Sequence, residues 1–173
     1  MSFTLVLGGA RSGKSRYAQT MAEAAAQSCG QRPIAIVTAQ VYDDEMAQRV
    51  ALHQQERGET WQTVEAPLDL CGAINRLKPS DVAVIDCMTL WLTNILLAEA
   101  DLTCEVDQLL AALKASPAKI WIVSNEVGWG IVPDNALARR FRDEAGRLNQ
   151  KLAQASEQAV LIVAGMKLDL ARV

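Results

Sequence analysis

Gly8-Gly9-Ala10-Arg11-Ser12-Gly13-Lys14-Ser15 is the stretch that decides the fold. It fits G-x-x-x-x-G-K-[ST], follows an apolar run at residues 4–7, and opens a helix-forming segment at residues 15–26. That context gives the pattern its chemical meaning. Glycines let the backbone turn so that several N–H groups face one anion, and the following helix presents its positive end to the same anion. Lys14 supplies a point charge for the outer phosphates, and the Ser15 hydroxyl is a ligand for Mg²⁺.

Outward from this loop, short apolar runs rich in Val and Ile recur at residues 34–38, 82–85, 120–124 and 160–164. They do not alternate with polar residues, which is the pattern of strands buried on both faces of a parallel sheet. Helix-forming stretches lie between or after them, at residues 45–56, 68–77, 89–98, 106–115 and 135–157. Residues 61–65 read as a further strand at an edge. The alternation predicts an α/β domain, mostly parallel, with helices on both faces of the sheet. No linker, repeat or low-complexity segment interrupts it, so residues 1–173 are expected to form a single domain.

Composition narrows the partners. A net charge of −3 gives no support for a nucleic-acid partner. The four cysteines, Cys29, Cys71, Cys87 and Cys104, form no C-x-x-C pair, and there is one histidine, so a zinc site is poorly supported. Reduced thiols in a cytoplasmic protein are expected. The first apolar run leads straight into the glycine loop and does not read as a secretory signal. Residues 82–98 are the most membrane-like, but they contain Asp86, Thr89, Thr93 and Asn94, so a buried strand and helix are expected rather than a span.

A phosphate loop with Mg²⁺ calls for a carboxylate at the end of another strand. Val82-Ala83-Val84-Ile85-Asp86 has that form, with helix capping as the alternative role of Asp86. No N-K-x-D guanine motif occurs. Asp143-Glu144-Ala145-Gly146 fits D-x-x-G but sits in a helical stretch and is discounted. A small kinase or transferase remains. The lone histidine, His53, shares a helical stripe with Met46 and Val50, near the sheet end where ligands bind. From the residues alone a partly buried core histidine on an apolar stripe is the favoured reading, and a functional one needs a further observation. Arg139, Arg140, Arg142 and Arg147 read either as phosphate or subunit contacts or as a solvated helix face. Trp91 and Trp121 read as core or interface, and Trp129, between glycines, as a loop residue with a possible contact role.

The chain resembles the bifunctional adenosylcobinamide kinase/adenosylcobinamide-phosphate guanylyltransferases. The resemblance runs from the phosphate loop and Arg16 through Thr38-Ala39-Gln40, Asp43-Asp44-Glu45-Met46, Arg49, His53, Arg57 and Trp61-Gln62-Thr63-Val64-Glu65. It continues through Asp86-Cys87-Met88-Thr89, Thr93-Asn94 and the distinctive Ser124-Asn125-Glu126-Val127-Gly128-Trp129-Gly130-Ile131-Val132-Pro133. Arg140-Phe141-Arg142-Asp143, Gly146-Arg147 and Asn149-Gln150 complete it. The family implies a RecA-like P-loop domain, assembled as a homotrimer, that phosphorylates adenosylcobinamide with ATP or GTP. GMP is then transferred from GTP to adenosylcobinamide phosphate through a guanylyl-histidine, which aligns with His53. Neutral imidazole, with an ordinary pKa of about 6.5, suits that role. The resemblance also implies nucleotide contacts at Val37, Thr38, Ala39, Gln54, Gln55, Glu56, Arg57, Glu65 and Asp86. Two departures stand out: Leu52 replaces a histidine common in relatives, and the tail from Met166 to Leu170 differs from those expected. A kinase without guanylyl transfer would have no use for His53, and a non-catalytic GTP-binding regulator would not convert a corrinoid.

Overall fold

The computed structural model describes residues 3–40 and 58–172. Seven strands form one sheet: β1 Phe3–Gly8, β2 Ile34–Val37, β3 Gln62–Glu65, β4 Val82–Asp86, β5 Lys119–Asn125, β6 Gln158–Val163 and β7 Met166–Leu170. Their order is β3-β2-β4-β5-β1-β6-β7. Every adjacent pair is parallel except β6 and β7, which are antiparallel. The strand expected at residues 61–65 is present and forms one edge of the sheet. The expected helix at residues 45–56 lies outside the described residues.

The described helices are α1 Lys14–Ser28, α2 Leu70–Asn75, α3 Met88–Leu97, α4 Leu102–Ala115 and α5 Ala136–Ala155. Strand alternation divides the core between two faces. Val6, Val84, Trp121, Val123 and Ile162 pack with Ala18, Ala22 and Ala26 of α1. The four-residue spacing of these alanines lays a smooth stripe against the sheet. Leu5, Ile36, Ile85, Ile120 and Ile122 face the other way, onto α2, α3, α4 and α5. Trp91 and Trp121 are core residues, as their apolar surroundings predict, whereas Trp129 is 76% exposed.

Helix starts separate into two kinds. Asp69 caps α2 through Gly72 N, Asp101 caps α4 through Thr103 N and Cys104 N, and Asn135 caps α5 through Ala138 N. Such a cap satisfies one or two of the orphan amides at a helix start. The Asp101 cap carries α4 back to Leu102, ahead of the start at Val106 that apolar spacing alone gives. By contrast, α1 begins at Gly13 and α3 at Cys87 with no side-chain cap. Both uncapped starts stand at the C-terminal ends of β1 and β4.

The chain crossing at those strand ends is pinned from beneath by Thr38. Its hydroxyl donates to the Cys87 carbonyl (2.7 Å) and accepts from the Cys87 N–H (3.0 Å), next to the cis Asp86–Cys87 peptide. Asn94 Nδ2 donates to the Thr38 carbonyl at 2.8 Å and to that of Pro67 at 2.9 Å. Thr38 is fully buried, so a Thr38→Val variant leaves the Cys87 N–H unpaired, while the Cys87 carbonyl keeps the Trp91 N–H at 3.2 Å. The variant is expected to lose about 1–3 kcal/mol of stability, seen as a lower urea midpoint at unchanged m-value. A midpoint unchanged from wild type would contradict this.

Candidate active site

Because the inner strands are parallel, their C-terminal ends share one edge. Register places Glu65, Val37, Asp86 and Val123 side by side on β3, β2, β4 and β5. Asn125 stands beside Gly8 two residues further along β5. The sequence-predicted residues Gly8 to Ser15, Val37, Thr38, Ala39, Glu65 and Asp86 therefore meet along this edge. His53, Gln54, Gln55, Glu56 and Arg57 lie outside the described residues.

The loop after β1 is shaped by close backbone approach. A Cβ at Gly8 would stand 2.4 Å from Ser12 Oγ and 2.6 Å from the Ile162 carbonyl, so only glycine fits. Arg11 (φ 55°) and Gly13 (φ 97°) both take left-handed conformations, which folds the loop into a concavity of the kind that binds anions through successive N–H groups. Glycine suits the second position because the strain of positive φ falls on residues with a Cβ. The hairpin turn at Ala164 and Gly165 braces the loop from the side, with Gly165 N donating to the Ser12 carbonyl at 2.9 Å.

Lys14 is 8% exposed and its ammonium donates to the Gly9 carbonyl at 3.0 Å. Burial holds its pKa below the ordinary lysine value, while Cys87 and Asp86 act in the opposite direction. A bound polyphosphate would favour the charged form, so the complex holds more protons than the free protein wherever Lys14 is titrating. Affinity is therefore expected to fall as pH rises through the lowered pKa of the free protein. Calorimetry with ATP, which has no group titrating in the alkaline range, in two buffers of different ionisation enthalpy should record proton uptake. Proton release or a flat profile would contradict it.

Asp86 does not cap α3, since that helix begins from Cys87. The capping alternative falls, and the carboxylate stands at the strand end near Lys14. The neighbouring Cys87 thiol is buried, and desolvation above all raises its pKa, which makes it an inert core thiol rather than a nucleophile. Cys87 Sγ lies 3.0 Å from Thr89 Oγ1, and Asn125 Nδ2 donates to the same oxygen at 2.9 Å. On the opposite face of β5, Ser124 Oγ donates to Asn149 Oδ1 (2.6 Å), and Asn149 Nδ2 donates to the Asn125 carbonyl (3.2 Å).

Three of the four arginines of α5 find local partners. Arg139 donates to the Pro133 and Asp134 carbonyls, Arg147 pairs with Glu144, and Arg142 approaches Asp143 at 3.5 Å. Asp143 and Gly146 sit within α5, as the discounting of that D-x-x-G pattern requires. Among the described residues no cluster of three or more His, Cys, Asp or Glu side chains is placed to hold a metal. No described helix is long and apolar enough to cross a membrane.

A strand ending in a phosphate loop, an uncapped helix behind it and a carboxylate two strands away define a P-loop nucleotide-binding enzyme. β5 lies between β1 and β4 in a sheet that is parallel but for its β7 edge. Residues 4–170 match the family described as cobinamide kinase / cobinamide phosphate guanyltransferase. The bifunctional adenosylcobalamin biosynthesis protein CobU of Escherichia coli is 41% identical, covering 94% of this chain and 96% of that protein. CobU of Salmonella typhimurium is 42% identical over the same shares, and CobP of Pseudomonas aeruginosa is 43% identical over 96% of this chain and 95% of its own. A crystal structure of a KaiC-like protein from Pyrococcus horikoshii superposes with a TM-score of 0.48 at 14% identity, covering 92% of this chain and 70% of the other. The chain belongs to the cobinamide kinase/cobinamide phosphate guanyltransferase family.

Proposed function

We propose that this enzyme phosphorylates the hydroxyl of adenosylcobinamide with ATP or GTP and then transfers GMP from GTP to the resulting phosphate, giving adenosylcobinamide-GDP. The observation that carries the reading is the phosphate cradle, in which Gly8 has no room for a side chain and a buried lysine stands beside the loop, within a chain whose residues 4–170 match the family.

In the first transfer the alcohol oxygen bonds to the γ-phosphorus, the bond from that phosphorus to the β-phosphate oxygen breaks, and the nucleoside diphosphate leaves. Loop amides and Lys14 stabilise the charge that gathers on the departing oxygen. In the second, an imidazole nitrogen of His53 attacks the α-phosphorus of GTP and pyrophosphate leaves. The resulting P–N bond is then broken by an oxygen of adenosylcobinamide phosphate, which frees the imidazole. Ser15, next to Lys14 in the chain, and Asp86, whose charge acts on Lys14, offer two hard oxygen donors, a hydroxyl and a carboxylate. They suit Mg²⁺, which takes few protein ligands and completes its shell with phosphate oxygens and water. When bound, Mg²⁺ would neutralise phosphate charge.

Val37, Thr38 and Ala39 continue the edge beyond Asp86, and Gln54, Gln55, Glu56 and Arg57 are assigned to the nucleotide by alignment with the family. Glu65 stands four strands from β1, about 19 Å along the sheet at ordinary strand spacing, so it serves the nucleoside end rather than the phosphates held by the loop. We assign the enzyme to the cytoplasm and to a homotrimer. The exposed apolar side chains of Met166, Leu168 and Leu170 on edge strand β7 are a surface that a neighbouring subunit would cover.

Mass spectrometry of adenosylcobinamide incubated with the enzyme, GTP and Mg²⁺ tests the reading. A corrinoid carrying a GDP moiety is expected. A product that stops at the monophosphate would leave a kinase alone, and unchanged corrinoid at high enzyme concentration would leave a nucleotide-binding regulator.

A further inference from the structure

Asn125 occupies a place in the site that the functional reading has not used. On β5, Trp121 and Val123 face α1, so Asn125, the next residue of that parity, emerges on the same side. On β4 the same parity runs from Val84 to Asp86. Asn125 therefore stands on the Lys14 side of the sheet, paired in register with Gly8, on the strand that separates the phosphate loop from Asp86.

Its amide is fixed at one end only. Nδ2 is engaged by Thr89 Oγ1 at 2.9 Å, whereas Oδ1 is buried and has no hydrogen-bond partner among the described residues. The preceding side chain, Ser124, has its partner in Asn149. A buried carbonyl oxygen left unpaired is costly, and a structural role does not account for it. An acceptor atom cannot pair with a phosphate oxygen, which is also an acceptor. It needs a donor, and beside the outer phosphates of a kinase site the donor the reaction supplies is the hydroxyl about to be phosphorylated.

We propose that Asn125 Oδ1 accepts the hydrogen bond of the acceptor alcohol and holds its oxygen in line with the γ-phosphorus. This rests on the kinase step proposed above. The alcohol oxygen forms its bond to phosphorus and the nucleoside diphosphate leaves. The hydroxyl proton passes to solvent or to a phosphate oxygen, because a neutral amide is no base. Asn125 is a positioning contact for the acceptor, anchored through Thr89 to the chain that follows Asp86.

The second transfer distinguishes this role from a general one, since its acceptor is already a phosphate and has no such hydroxyl to hold. Asn125→Ala is expected to lower kcat/KM for phosphorylation of adenosylcobinamide by about 10- to 100-fold. The KM for nucleotide and the rate of GMP transfer to pre-formed adenosylcobinamide phosphate should stay within about threefold of wild type. Thr89→Val, close to isosteric, frees the amide to turn and should give the same selective loss in smaller measure. It also serves if Asn125→Ala folds poorly, as judged by its melting temperature and ATP binding. Equal losses in both transfers, or an unchanged phosphorylation rate in a folded variant, would overturn the assignment. So would a fall in acceptor-free ATP hydrolysis with the alcohol reaction intact, since the oxygen would then hold water. Wild-type enzyme that fails to phosphorylate the alcohol would refute the kinase reading itself, a separate outcome.

Discussion

Lys14→Ala should disable both transfers, lowering kcat/KM for each by about 10²- to 10³-fold or more. That is the scale on which a preorganised charge at a developing anion contributes. One phosphate loop serves both reactions in this account. The ammonium that meets the leaving diphosphate in the first transfer also meets the leaving pyrophosphate in the second. The loss should come without unfolding. Lys14 is buried at a desolvation cost that its bond to the Gly9 carbonyl and the nearby Asp86 offset only in part, as the lowered pKa shows. Removing it therefore relieves a penalty as well as a contact, and the melting temperature should move little. Steady-state assays of each half-reaction, with melting curves alongside, check this. GMP transfer surviving in the Lys14→Ala enzyme would mean that the phosphates of GTP are held elsewhere during that step.

His53→Ala should separate the two activities. Loss of a covalent nucleophile removes the path it opens, and an effect of about 10⁴-fold or more on GMP transfer is expected. Phosphorylation of the alcohol, which needs no imidazole nucleophile, should stay within about threefold of wild type. Adenosylcobinamide phosphate would then accumulate and the GDP-bearing product would be absent from the mass spectrum. Parallel loss of both activities in a folded variant would instead make His53 part of a shared binding surface.

The sheet was legible because its inner strands are buried on both faces, and such strands appear in sequence as continuous Val and Ile runs. The loop from Gly8 to Ser15 was legible because anion binding imposes glycines, a lysine and a hydroxyl at fixed spacing. Asp86 was readable as a strand-end carboxylate, but two roles stayed open until α3 was seen to start at Cys87. Strand β7 was not read from the sequence. It lies at a sheet edge with all five residues exposed, so burial left no apolar run there. Its signal was the turn: Ala164 and Gly165, both at positive φ, join two short segments as a two-residue hairpin. Asn125 belonged to the most distinctive run of the sequence, yet its role depends on which face of β5 it leaves and on an unpaired oxygen. Neither is visible without the register. The contacts of Thr38 were hidden for the same reason, because a hydroxyl joining residues 38 and 87 leaves no mark on either local pattern.

The central claim is that a triphosphate seated in the loop after β1 presents its α-phosphorus to His53. Incubating the protein with Mg²⁺ and GTP labelled at the α-phosphate, without corrinoid, tests it most directly. The account predicts an acid-labile label on the wild-type protein that adenosylcobinamide phosphate removes, and none on Lys14→Ala or His53→Ala. An unlabelled wild-type protein, or a label that persists in His53→Ala, would contradict it.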